Sequence, residues 1–117
     1  MTSTAPVLFK GHPVQLAGVA YVMPPLSFGG IDQAKDLMRQ IDTGAITEVT
    51  ALQGAFTDVL HLAFLRNYPE MPRKVLLDAL DWHIAVDLYH RLLQLSFPRA
   101  PAGEPVVESP SGASTGS

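Results

Sequence analysis

The chain has 117 residues, of which 47% are apolar and only 16% charged, with a net charge of −3. That content allows one small domain with a packed core, and it leaves apolar surface that few charges can screen. The eight cations (Lys10, Lys35, Arg39, Arg66, Arg73, Lys74, Arg91 and Arg99) are scattered, which argues against a phosphate-binding stripe, and the lack of cysteine excludes disulfides, thiol nucleophiles and Cys-based zinc sites.

The start, Met-Thr-Ser-Thr-Ala-Pro, has no basic region followed by an apolar run, so no signal peptide is expected. No apolar run approaches the roughly 18 residues that would span a bilayer, and the cytoplasm is the expected compartment. Residues 1–13 read as a flexible N-terminus. From Val14 to Met23 apolar residues alternate on either side of Ala17-Gly18, which predicts a β-hairpin with a short loop. "PPLSFGG" at 24–30 then stops the strand. Ile31, Ala34, Leu37, Met38 and Ile41 fall at helical spacing before Gly44, predicting a first helix over 30–43.

A second helix is predicted over 45–67, with a broad stripe from Ile46 through Phe56 and Leu60 to Phe64. Gly54 in its middle costs about 1 kcal/mol against Ala, and a closely crossing helix would explain it. Pro69 should end this helix near Asn67. Pro72 fits the first turn of a third helix over 72–80. Asp81 is a plausible N-cap for a fourth over 82–95. The last twenty residues, 98–117, include eleven Pro, Gly or Ser and read as a disordered tail. The expected class is α+β, mainly α: an N-terminal hairpin, about four helices forming one domain over 14–97, and that tail.

Sites for chemistry are sparse. His83, Asp87 and His90 share one helical face and could hold a metal, but a polar surface helix shows the same spacing. His61 reads as a helix-surface or boundary residue, and His12 as a turn residue. Ser27-Phe28-Gly29-Gly30 resembles a phosphate loop only in outline, since no Lys-Ser/Thr follows; a strand-to-helix turn is the plainer reading. Asp78 and Asp81 read as a helix end and a cap rather than an acid/base pair. No catalytic, cofactor or metal residue is assigned, and no enzyme is expected.

The stretch "FLRNYPEMP" at 64–72 stands apart. Arg66 and Tyr68 are residue types common at interface anchors. The plainer reading is a helix C-terminus: Arg66 complements the dipole, Asn67 takes a left-handed cap, and Tyr68 packs over the corner. The corner would fold the third helix back on the second.

Taken together, "YVMPPLSFGGIDQ", "HLAFLRNYPEMP" and "LLDALDW" resemble a family of small phage tail assembly chaperones. The matching positions are Val22, Pro24, Pro25 and Leu26, then Leu65 to Pro69, then Leu76 to Asp78, within a span of 14–95. Relatives often carry Thr or Ser where Pro72 stands, so the third helix should begin differently here. The resemblance implies no catalysis. It implies binding to the helical, aggregation-prone tape-measure protein, kept soluble in the host cytoplasm while tail tube subunits polymerise around it. The tail tube protein and self-association are further candidates, and some relatives have a longer frameshifted form. On this reading the expected partner contacts are Phe64, Arg66, Tyr68, Trp82 and Tyr89. The apolar stripes would offer a groove to an amphipathic helix, and the hairpin edges could add to a neighbouring subunit. A regulatory or antitoxin-like helical interaction module is the alternative, motivated by the small size and the helix–turn–helix-like corner at 64–80.

Overall fold

The computed structural model describes residues 8–98. The expected tail, apart from Pro98, and the first seven residues lie outside the described residues. Two strands, β1 (His12–Leu16) and β2 (Val19–Met23), are followed by four helices: α1 (Phe28–Thr43), α2 (Val49–Leu65), α3 (Arg73–Ala79) and α4 (Trp82–Ser96). This is the expected α+β architecture, mainly helical. No helix is long and apolar enough to cross a membrane.

The hairpin turns on Ala17 and Gly18, both at positive φ (52° and 80°), with Leu16 opposite Val19. Positive φ at both loop residues is what lets a two-residue turn follow the twist of its strands. Val14, Leu16, Tyr21 and Met23 share the face that meets the helices; Leu16 and Met23 are buried. In this register Pro13 and Val22 form a pair whose main-chain groups point outward rather than across the ladder. Pro13 has no N–H to offer on the β1 edge. On the β2 edge, the Val22 N–H donates to Tyr68 Oη (2.7 Å) and its carbonyl accepts from Asn67 Nδ2 (3.2 Å). Both edges are therefore blunted at this pair, while Gln15 and Ala20 still turn their main-chain groups outward.

Helix α1 begins two residues earlier than expected because Ser27 caps it, its Oγ accepting from Gly30 N–H at 3.0 Å. It ends at Gly44, whose φ of 73° suits glycine, and the Ala45 N–H closes back on the Gln40 carbonyl at 3.0 Å. Helix α2 starts at Val49, not 45, because Glu48 supplies the cap: its carboxylate accepts from the Ala51 N–H (2.8 Å) and the Thr50 hydroxyl (2.6 Å). Those same bonds, the Thr50 hydroxyl first, hold the Glu48 carboxyl below its ordinary pKa.

Helix α2 is the axis of the core. Val59, Leu60, Ala63 and Phe64 are fully buried, and α1, α3, α4 and β2 all pack on this helix. The broad apolar stripe follows from that central position, since a helix covered on several sides needs apolar residues on several sides. Gly54 is not under a crossing helix. The Arg73 guanidinium lies there instead, 3.3 Å from where a Cβ would stand, and Arg73 Nε pairs with Asp58 at 2.6 Å.

Helix α3 folds back on α2 as expected. Pro72 is its N-cap rather than its first helical residue, and makes no side-chain cap bond. The turn is held by His61, whose Nε2 donates to the Met71 carbonyl at 2.7 Å, and by the burial of Met71 itself. Asp81 caps α4 as expected, accepting from Ile84 N–H at 2.8 Å.

Candidate partner-binding surface

The Arg-Asn-Tyr corner turns inward. Asn67 is 3% exposed and uses its whole amide. Oδ1 accepts from the Leu8 and Phe9 N–H groups (3.1 and 2.8 Å), and Nδ2 donates to the Phe9 and Val22 carbonyls (2.9 and 3.2 Å). An asparagine has two acceptor sites and two donors, so nothing is left over. It is not in the left-handed conformation; Ala17 alone among described non-glycine residues has positive φ. Arg66 donates from Nη1 to the Pro25 carbonyl (2.7 Å) and stacks 3.9 Å above the Phe9 ring. Tyr68 meets Tyr21 edge to face at 5.1 Å. These three residues bind the N-terminal segment, β2 and the strand-to-helix turn onto the end of α2. The flexible end expected over 1–13 is thus tied down from Leu8 onward.

Two of the expected contact residues are core residues. Phe64 is completely buried, and truncating it would cost about 3–5 kcal/mol in packing, whatever it did to binding. Tyr89 is 2% exposed, edge-on to Phe56 at 5.1 Å, with its hydroxyl donating to Asp42 Oδ1 at 3.1 Å. Burial, then the Asp42 charge and that hydrogen bond, push the Tyr89 phenol well above its usual range. Arg66 and Tyr68 are half-buried and occupied by internal partners. Trp82 remains as surface, 41% exposed and edge-on to Phe56 at 6.0 Å. The five residues do not make one patch. Phe64 and Tyr68 gather around Tyr21, while Trp82 and Tyr89 gather around Phe56.

His83, Asp87 and His90 are exposed and form no metal-binding cluster among the described residues; Asp87 pairs with Arg91 at 3.0 Å.

Two hollows among the described residues combine an apolar lining with open surface. Trp82, Phe56, Leu77 and Leu80 line a pocket of about 320 Å³ between α2, α3 and the start of α4. A larger groove of about 790 Å³ runs between α1 and α4, with Ile31, Met38, Leu93 and Phe97 as its apolar lining and Lys35 and Arg39 on its α1 lip. The groove is pinned at both ends. Leu26 N–H donates to Ser96 Oγ (2.9 Å) at one, and Tyr89 bonds Asp42 at the other. The start of α1 therefore faces the end of α4, so the two helices lie antiparallel against α2. Ile31 and Met38 were expected only as positions on the apolar spacing of the first helix, and Phe97 as the end of the domain; all three line this groove. The available signal was Phe28, which extends the Ile31–Lys35–Met38 spacing by one turn and is 91% exposed.

No family model, no curated protein and no solved structure matches the chain.

Proposed function

We propose that this chain is a non-enzymatic tail assembly chaperone of a tailed phage, which binds the tape-measure protein in the host cytoplasm while the tail tube assembles. The observation that carries the reading is the apolar groove left open between α1 and α4 in a chain with so few charges. A helical guest with one apolar face fits such a groove, and a tape-measure protein is such a guest along its length. Several copies on one long client would add their affinities. The resemblance at the Val22–Leu26 strand end and the Leu65–Pro69 corner supports the family assignment. The tail tube protein is a second candidate partner.

Co-expression with the tape-measure protein of the same phage, followed by size-exclusion chromatography, tests this. The expected result is a soluble client co-eluting with several copies of the chain. A client left in the pellet, with the small protein eluting alone, overturns it.

A further inference from the structure

The α1–α4 groove has an electrostatic side. On the α1 lip stand Lys35 and Arg39, four residues apart and so one above the other on the same face. The α4 lip offers Gln94, which is uncharged; Asp42 at the closed end, bonded by the neutral Tyr89 hydroxyl, keeps its negative charge, so the lining carries two cations against one acid. Lys35 and Arg39 do pair within their own helix, with Asp32 (3.1 Å) and Asp36 (2.7 Å). All four side chains are more than half exposed, and such pairs hold their partners weakly. Both cations can turn to a carboxylate arriving over the groove. From Ile31 to Asp42 the floor spans eleven residue steps, about 17 Å, or three turns of a guest helix.

We infer that this groove is a docking site for an amphipathic helix of a partner protein whose apolar stripe is flanked, on the side facing α1, by a row of acidic residues one turn apart. The apolar stripe fills the space over Ile31, Met38, Leu93 and Phe97, and the carboxylates take Lys35 and Arg39. The proposal deepens the chaperone reading and rests on it for the kind of client, but not for the client's identity.

The test uses the full chain and two fluorescent helical peptides of about 15 residues. Both carry the same leucine stripe; one is flanked by Glu and the other by Lys at the same positions. The Glu-flanked peptide is expected to bind about tenfold more tightly in fluorescence anisotropy at moderate salt. The double variant Lys35→Glu/Arg39→Glu, which changes only exposed side chains, is expected to reverse that preference. Trp82→Ala, at the separate pocket, should leave it unchanged. Equal affinity for both peptides, or a preference untouched by the double variant, overturns the proposal. So does a carbodiimide cross-link from Glu104 or Glu108 to Lys35 within the peptide-free chain, which would give the groove to the chain's own C-terminal segment. A dimer in sedimentation that the double variant dissociates would give it to a second copy, with the same consequence. The peptide preference persisting while the tape-measure protein stays insoluble would sink the chaperone reading alone. A solubilised client with no peptide preference would sink the groove assignment alone.

Discussion

The side-chain amide of Asn67 pairs with the main chain of Phe9 in both directions, accepting from its N–H at 2.8 Å and donating to its carbonyl at 2.9 Å. It behaves as one rung of a β-ladder supplied by a side chain. Asn67→Ala leaves the Phe9 and Val22 carbonyls and two N–H groups without these partners, and should lower stability by about 2–4 kcal/mol. Urea unfolding reads the loss, and hydrogen exchange should show the Phe9 amide opening first. An alanine variant as stable as the parent would mean that water replaces the amide without penalty.

Gly11 lies against the main chain of Met23. A Cβ there would stand 1.9 Å from the Met23 carbonyl oxygen and 2.6 Å from the Pro24 Cα. Neither atom is a movable side-chain end, so the N-terminal segment has to shift. Gly11→Ala is expected to cost about 3 kcal/mol, seen as a lower Tm in thermal unfolding followed by circular dichroism. An unchanged Tm would show that the segment crosses β2 less closely.

Ala17 takes φ 52° at the hairpin turn. A Cβ in the left-handed region costs roughly 1–2 kcal/mol, and asparagine tolerates it better. Ala17→Asn should therefore stabilise the protein by about 1 kcal/mol, with a higher urea midpoint and an unchanged slope. A destabilised variant would count against this turn geometry.

The Tyr89 phenol titrates above its ordinary value in the folded protein, mainly through burial and then through Asp42. The neutral phenol is the form that folding favours. Its contribution is fully present below the unfolded pKa of about 10 and is lost as pH rises from there toward the folded value. In that alkaline range the unfolded chain has released a proton that the folded chain still holds, so stability falls with rising pH. Tyr89→Phe should flatten this part of the curve, compared with the parent by denaturant unfolding from pH 9 to above pH 11. Parallel curves for the two proteins would contradict the assignment.

The helices were legible because their apolar spacing is long and their ends are punctuated: Gly44 stops α1 and Asp81 starts α4 through their own local chemistry. Glu48 was harder, because a carboxylate cap ahead of Val49 interrupts an apolar stripe that runs in the sequence from Ile46. Asn67 could not be read correctly from its neighbours. A helix-capping asparagine and a buried one look alike in sequence, and its partners at Phe9 and Val22 are 58 and 45 residues away. The same holds for the aromatics. Phe64 and Trp82 both sit on apolar helices, and only the packing of α2 at the centre separates the buried ring from the exposed one. A groove was expected from the apolar stripes, but its place was not legible, because its two walls, α1 and α4, are distant in the chain.

Pro13 on one strand and the Asn67–Tyr68 pair on the other take away the main-chain positions through which a foreign strand would zip onto the hairpin. Gln15 and Ala20 still turn both main-chain groups outward, and Pro13 keeps its carbonyl, so each edge offers only a short, interrupted row. Among the described residues the hairpin thus offers little continuous backbone for pairing. The hairpin therefore presents a short, interrupted backbone edge, which limits the sheet-to-sheet stacking that would glue its own copies together.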